Sequence, residues 1–222
     1  HGFIVVALQM YEAGGLFFGK SSIEEEITLA TQTWTFIREN LSTALPTGVE
    51  ASVENFGVVG HSRGAKVAWG ALLKDATLAN ALVGIDPVDN PGGFAAQDPV
   101  ITGPTPFAIP TLVIGTGLGP DSVDGFSPAC APEGENYAKF YAAAQTPAYR
   151  LVATEHGHLD MLDDTLSGCG LECSACPGGG SKQAMRSATA GWIVALMRGA
   201  LQGDATAFAL IAPPSGAPTT VT

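Results

Sequence analysis

The sequence predicts an α/β domain built on a mostly parallel sheet with helices on both faces. Short apolar runs rich in β-branched residues alternate along the chain with longer segments of helical period. Those runs are continuously apolar, the pattern of strands buried on both faces. Irregular stretches rich in Pro and Gly follow their C-terminal ends, where open α/β sheets place their ligands.

The elements follow in order. His1-Gly2 leads into Phe3-Ile4-Val5-Val6-Ala7-Leu8, a run that reads as a first buried strand. No charged-then-apolar leader precedes it, so any targeting segment is expected to lie outside this chain. Ile23, Ile27, Ala30, Trp34, Ile37 and Leu41 recur at spacings of four and three and predict an amphipathic helix. Ser22 with Glu25 forms its capping box, and Glu24–Glu26 read as a solvated first turn suited to the helix dipole. Pro46-Thr47-Gly48 closes the segment. A strand at 56–59, a helix over 64–79 and a strand at 82–85 come next. A long excursion over 87–110 precedes a strand at 111–115, and a second excursion covers 116–134. A short helix at 135–144, a strand at 151–154 and a third excursion over 163–180 lead to a last helix at 181–201. That helix should bury Met185, Ala188, Trp192, Ile193 and Leu196. The tail, 212–222, is rich in Pro, Ser and Thr and is expected to be mobile. A length of 222 residues with 46% hydrophobic content suits a single domain over 1–222 with a proper core.

Composition excludes several classes of function. The net charge is −11 and no run of Lys or Arg occurs, so nucleic-acid binding lacks its basic footprint. Electrostatic docking on anionic membranes is disfavoured for the same reason, and no segment approaches the ~20 apolar residues that cross a bilayer.

The chemistry concentrates at Gly60-His61-Ser62-Arg63-Gly64, a Gly-x-Ser-x-Gly pentapeptide between a predicted strand and a predicted helix. A serine on that sharp turn presents its hydroxyl to the cleft, and the flanking glycines avoid collisions with neighbouring elements. This makes Ser62 the candidate nucleophile; otherwise it merely caps the helix. A serine hydroxyl needs a base, and the chain order of such sites is serine, acid, histidine. His61 sits beside Ser62 and is expected to point elsewhere. His156 and His158 both follow the strand at 151–154, and position does not separate them; the loser reads as a surface histidine. Asp86, at a strand end and stiffened by Pro87, suits an acid that must be buried beside the base. Asp121, Asp124, Asp160, Asp163 and Asp164 remain alternatives. The backbone N–H of Arg63 is the expected oxyanion donor. The second donor normally comes from a loop after the third strand, and only one strand precedes the motif in this chain. Three strands are therefore expected to lie elsewhere, in a longer chain or in a separate N-terminal polypeptide. Cys169, Cys173 and Cys176 cluster, with Cys130 remote; one or two disulfides, or free thiols, are expected in preference to zinc, because no histidine is adjacent.

Several stretches carry a resemblance to the chlorophyllase family of plant and algal α/β-hydrolases. They are HGFIVVALQMY at 1–11, Gly60–Gly64 with Ala65 departing from the family's second glycine, GIDPV at 84–88, CAPEG at 130–134 and GHLDMLDD at 157–164. The resemblance implies an α/β-hydrolase fold with Ser62 as nucleophile, Asp86 as acid and His158 as base. His156 falls where the family carries an aromatic. It implies hydrolysis of the phytyl ester of chlorophyll to chlorophyllide and phytol, with no metal or cofactor. It further implies a chloroplast location and peripheral contact with pigment-bearing membranes. Phe94, Phe107 and Phe126, with Phe17 and Phe18, are candidates to line the site for so greasy a substrate. An esterase for other hydrophobic esters and a non-catalytic pigment- or lipid-binding domain are the competing readings.

Overall fold

The computed structural model describes residues 1–8, 21–92, 96–163, 176–211 and 217–222. Its elements are α1 (Ile23–Ala44), β1 (Gly57–His61), α2 (Arg63–Lys74), β2 (Ala81–Ile85), β3 (Thr111–Thr116), α3 (Tyr137–Ala143), β4 (Ala148–Ala153) and α4 (Lys182–Gln202). The four strands form one parallel sheet in the order β1-β2-β3-β4.

Helices cover both faces, and the alternation of side chains along a strand sorts the core into two layers. On one face Leu82 and Val113 meet Trp69 and Leu72 of α2, Ile27 and Trp34 of α1, and Phe140 of α3. On the other, Val83, Ile85, Leu112 and Ile114 meet Met185, Trp192 and Leu196 of α4. Every residue of β2 and β3 is buried, which accounts for their unbroken apolar sequences. The capping box of α1 forms as read: the Ser22 hydroxyl accepts from the Glu25 N–H at 3.2 Å, and the Ser22 N–H donates to Glu25 Oε2 at 2.7 Å.

Three expectations are corrected. Residues 3–8 pair with no described strand; Ile4, Val5 and Val6 are exposed, while Phe3 and Leu8 rest on the two core layers. An apolar run becomes a strand only where a partner edge meets its backbone groups. The helix read over 64–79 ends at Lys74, and a 3₁₀ turn at Ala76–Leu78 is capped by Asp75. The end of the tail is tied down, because Thr222 exchanges backbone hydrogen bonds with Val152 and Thr220 accepts from the Thr154 N–H, extending β4 antiparallel.

Candidate active site

The site stands at the C-terminal ends of β1, β2 and β4. Ser62 follows β1 directly and takes φ 54°, ψ −123°, a conformation that costs a non-glycine residue roughly 1–3 kcal/mol. Its N–H donates to the Ile85 carbonyl at 3.0 Å, and its carbonyl accepts from Ala65 and Lys66 in the first turn of α2. A Cβ on Gly60 would lie 2.5 Å from the Gly64–Ala65 backbone, so the elbow requires glycine there. The second glycine is different: a Cβ on Gly64 meets nothing within 4 Å among the described residues, so crowding does not explain it.

Asp86 follows β2 with a positive φ of 38° and is fully buried. Its N–H donates to the Ile114 carbonyl at 2.6 Å. Its Oδ1 accepts from the Thr116 N–H at 3.0 Å, and its Oδ2 accepts from the Thr116 hydroxyl at 2.7 Å. The same Oδ2 lies 2.7 Å from His158 Nδ1, and His158 Nε2 lies 2.8 Å from Ser62 Oγ. The carboxylate only accepts, which assigns the His158 proton to Nδ1 and leaves Nε2 to take the hydroxyl proton. Sequence positions 62, 86 and 158 are thus brought into one hydrogen-bonded relay, able to turn a hydroxyl into a nucleophile.

The other candidates stand elsewhere. Asp121, Asp124 and Asp163 are exposed, and Asp164 lies outside the described residues. Asp160 is buried but spends its Oδ2 on the N–H groups of Gly157 and Gly179, at 2.7 and 2.9 Å. His156 is buried rather than on the surface; its Nε2 meets Thr219 Oγ1 at 2.7 Å, which ties the tail to the turn before His158. Gly157 can hold that turn only as glycine, since a Cβ would overlap the Pro177 carbonyl. Phe107 belongs to the core layer on the α2 side and not to an open cleft, Phe126 is 97% exposed, and Phe94, Phe17 and Phe18 lie outside the described residues. Cys130 and Cys176 form a disulfide with Cα atoms 5.5 Å apart. Cys169 and Cys173 lie outside the described residues.

Three residues near the relay escaped the sequence reading. Glu26, read as a solvated glutamate, is buried and receives a bidentate fork from Arg63: Nε to Oε2 at 2.8 Å and Nη2 to Oε1 at 2.7 Å. This fastens α1 to the start of α2, where Arg63 and the other first-turn amides form the positive end of the helix dipole beside Ser62. Lys66, one turn beyond Ser62, is wholly buried and donates to the Asp98 carbonyl at 2.6 Å and to the Asp89 carbonyl. Burial pushes its ammonium pKa below the ordinary lysine range, with Asp89 opposing. His61 lies against His158, with ring centroids 4.7 Å apart. Only a contact across 97 residues of sequence separation reveals that pairing.

The family model described as Chlorophyllase matches residues 1–222. The chain is 35% identical over 216 residues to Chlorophyllase-2 of Arabidopsis thaliana, which covers 92% of this chain and 66% of that protein. It is 35% identical to the chloroplastic Chlorophyllase-1 of Citrus unshiu, covering 98% of this chain and 66% of the relative. Against Chlorophyllase type 0 of Chenopodium album the identity is 32%, over 99% of this chain and 66% of the relative. The chain therefore spans about 66% of the length of these curated relatives. Nothing in the comparisons supports the separate N-terminal polypeptide expected from the strand count. Among the described residues, no helix is long and apolar enough to cross a membrane.

Proposed function

This chain belongs to the chlorophyllase family, and from that premise we propose that it carries the core of a serine esterase that hydrolyses the phytyl ester of chlorophyll to chlorophyllide and phytol. The observation that carries the reading is the unbroken relay from Ser62 Oγ through His158 to Asp86, at 2.8 and 2.7 Å.

In this mechanism His158 Nε2 takes the Ser62 proton as Oγ attacks the propionate carbonyl of the pigment. Asp86, held by Thr116, keeps the proton of the neutral ring on Nδ1 and stabilises the imidazolium that forms. The backbone N–H of Arg63, at the start of α2, stabilises the charge developing on the carbonyl oxygen. His158 then returns its proton to the phytyl oxygen, and phytol departs. A water deprotonated by His158 attacks the acyl-enzyme, releases chlorophyllide and restores Ser62. The reaction needs no metal or organic cofactor, because nucleophile, base and anion stabilisation all come from the chain. We place it in the chloroplast, since two Citrus relatives are named chloroplastic, and expect peripheral contact with the membranes that hold the pigment. The exposed Phe126 suits such a contact or the phytyl chain itself.

The test is chromatographic detection of chlorophyllide and phytol from chlorophyll, beside a series of short acyl esters. Ser62→Ala should lower kcat by ~10³-fold or more with little change in KM. Equal hydrolysis by wild type and Ser62→Ala refutes the serine mechanism. Turnover of short esters alone favours a general esterase, and pigment binding without hydrolysis favours a binding domain.

A further inference from the structure

We propose that His61 is a positioning residue for the base His158, strapping the His158 main chain to the strand that carries Ser62 and packing its own ring on the base. This inference rests on the reading of Ser62, His158 and Asp86 as the reactive relay.

His61 ends β1, in register with Ile85 of β2, immediately before Ser62. Its Nε2 lies 2.8 Å from the His158 carbonyl oxygen. A carbonyl only accepts, so Nε2 carries the proton and His61 is the donor. The two rings meet with centroids 4.7 Å apart and planes inclined by 35°. The nucleophile's strand and the base's turn are therefore joined twice. One link, His158 Nε2 to Ser62 Oγ, reverses its donor as the proton moves and lacks the hydroxyl donor while Oγ is acylated. The other, His61 Nε2 to the His158 carbonyl, involves no reacting atom and persists through the cycle. It holds the imidazole where the second proton transfer needs it.

The strap has a charge requirement. Burial first, and then the neighbouring His158, lower the His61 pKa to about 4, with Asp86 and the hydrogen bond to His158 opposing. Among the described residues, His158 and Asp86 are the titratable groups that act on it. A neutral His61 lets His158 become an imidazolium without a second cation against its face.

The experiment reads Ser62 reactivity with a fluorophosphonate probe, which requires no pigment. His61→Phe keeps a ring and removes the donor; His61→Gln restores an N–H of similar reach. Labelling should slow ~10-fold in His61→Phe, the size of one lost hydrogen bond, and recover to within ~3-fold of wild type in His61→Gln. For chlorophyll turnover the loss should fall on kcat and leave KM in place. In ¹⁵N-histidine NMR of the wild type, His61 should keep the Nε2–H tautomer from pH 5 to 8, a measurement that stands even if a variant fails to fold. Equal labelling of wild type and His61→Phe, or titration of His61 near pH 6.5, overturns the inference and leaves the esterase reading intact. A wild type that takes no label at Ser62 removes the esterase reading, and this inference with it.

Discussion

At the scale of single residues, the site is built from conformations and charges that the chain would not adopt alone. Ser62 and Asp86 are the two non-glycine residues with positive φ among those described, and each is clamped by a hydrogen bond to the neighbouring strand. His61 is the residue whose charge state couples the site to stability. Its folded pKa of about 4 lies below the ordinary histidine value of about 6.5, so the unfolded chain binds the proton first as pH falls. Its contribution is therefore complete above about pH 6.5 and declines between that pH and about 4, by up to ~3 kcal/mol. Urea midpoints at pH 7 and pH 4.5 should fall further apart in the wild type than in His61→Gln, which has no proton to gain; parallel shifts would remove the coupling. The strand-turn-helix elbow at Ser62 is legible because an apolar run before the pentapeptide and a helical pattern after it give it a context. The rivalry between His156 and His158 is not legible from spacing, because two residues on one turn differ only in which way the fold aims them. The strand-end position already favours Asp86 over the loop aspartates, and the family resemblance separates His158 from His156. His61 carries no signal in the sequence, because the carbonyl it meets lies far along the chain.

At the scale of elements, the described residues between β2 and β3 are held by Ile101 and Phe107 in the core layer on the α2 side and by a buried charge cluster around Asp89. Asp89, fully buried, accepts from the N–H groups of Val100 and Ile101 at 2.8 and 3.1 Å. Lys139 of α3 reaches its Oδ2 at 2.7 Å, and Lys66 of α2 lies 3.6 Å from its Oδ1. Burial works against the Lys139 ammonium, but its bonds to Asp89 and Glu135 outweigh it and raise the pKa. Removing the anion leaves a buried lysine without its counter-charge, a defect that costs about 3–5 kcal/mol. Asp89→Ala should therefore lower the urea unfolding free energy by that amount and loosen the strand end that bears Asp86. A change below ~1 kcal/mol would mean that the backbone contacts of Lys66 suffice on their own. The helices and the four paired strands were legible, since their periods and caps are local signals. Residues 3–8 misled because composition reports what a segment can bury and not whether an edge exists to receive it. Glu26 misled because a glutamate in a first turn is solvated unless another element brings it an arginine.

At the scale of the whole molecule, a disulfide between Cys130 and Cys176 joins the segment after β3 to the segment before α4. Cys130 lies in the excursion after β3, where Ala131 donates to the Gly119 carbonyl close to Asp86. Cys176 lies just before the glycines that pack beneath the His158 turn. Composition leaves the cysteines among pairs and free thiols, because pairing depends on which loops the sheet brings together. The bridge links cysteines 46 positions apart in sequence, and the entropy it removes from the unfolded chain corresponds to about 4 kcal/mol. Cys130→Ser should accordingly lower the urea midpoint of the oxidised protein substantially, while reductant should shift the wild type to the variant's value and leave the variant where it is. If reductant moved both equally, the stabilising bond would lie elsewhere among the cysteines. If it moved neither, the hydrogen bonds from Ala131 and Gly179 would be sufficient to hold the two loops.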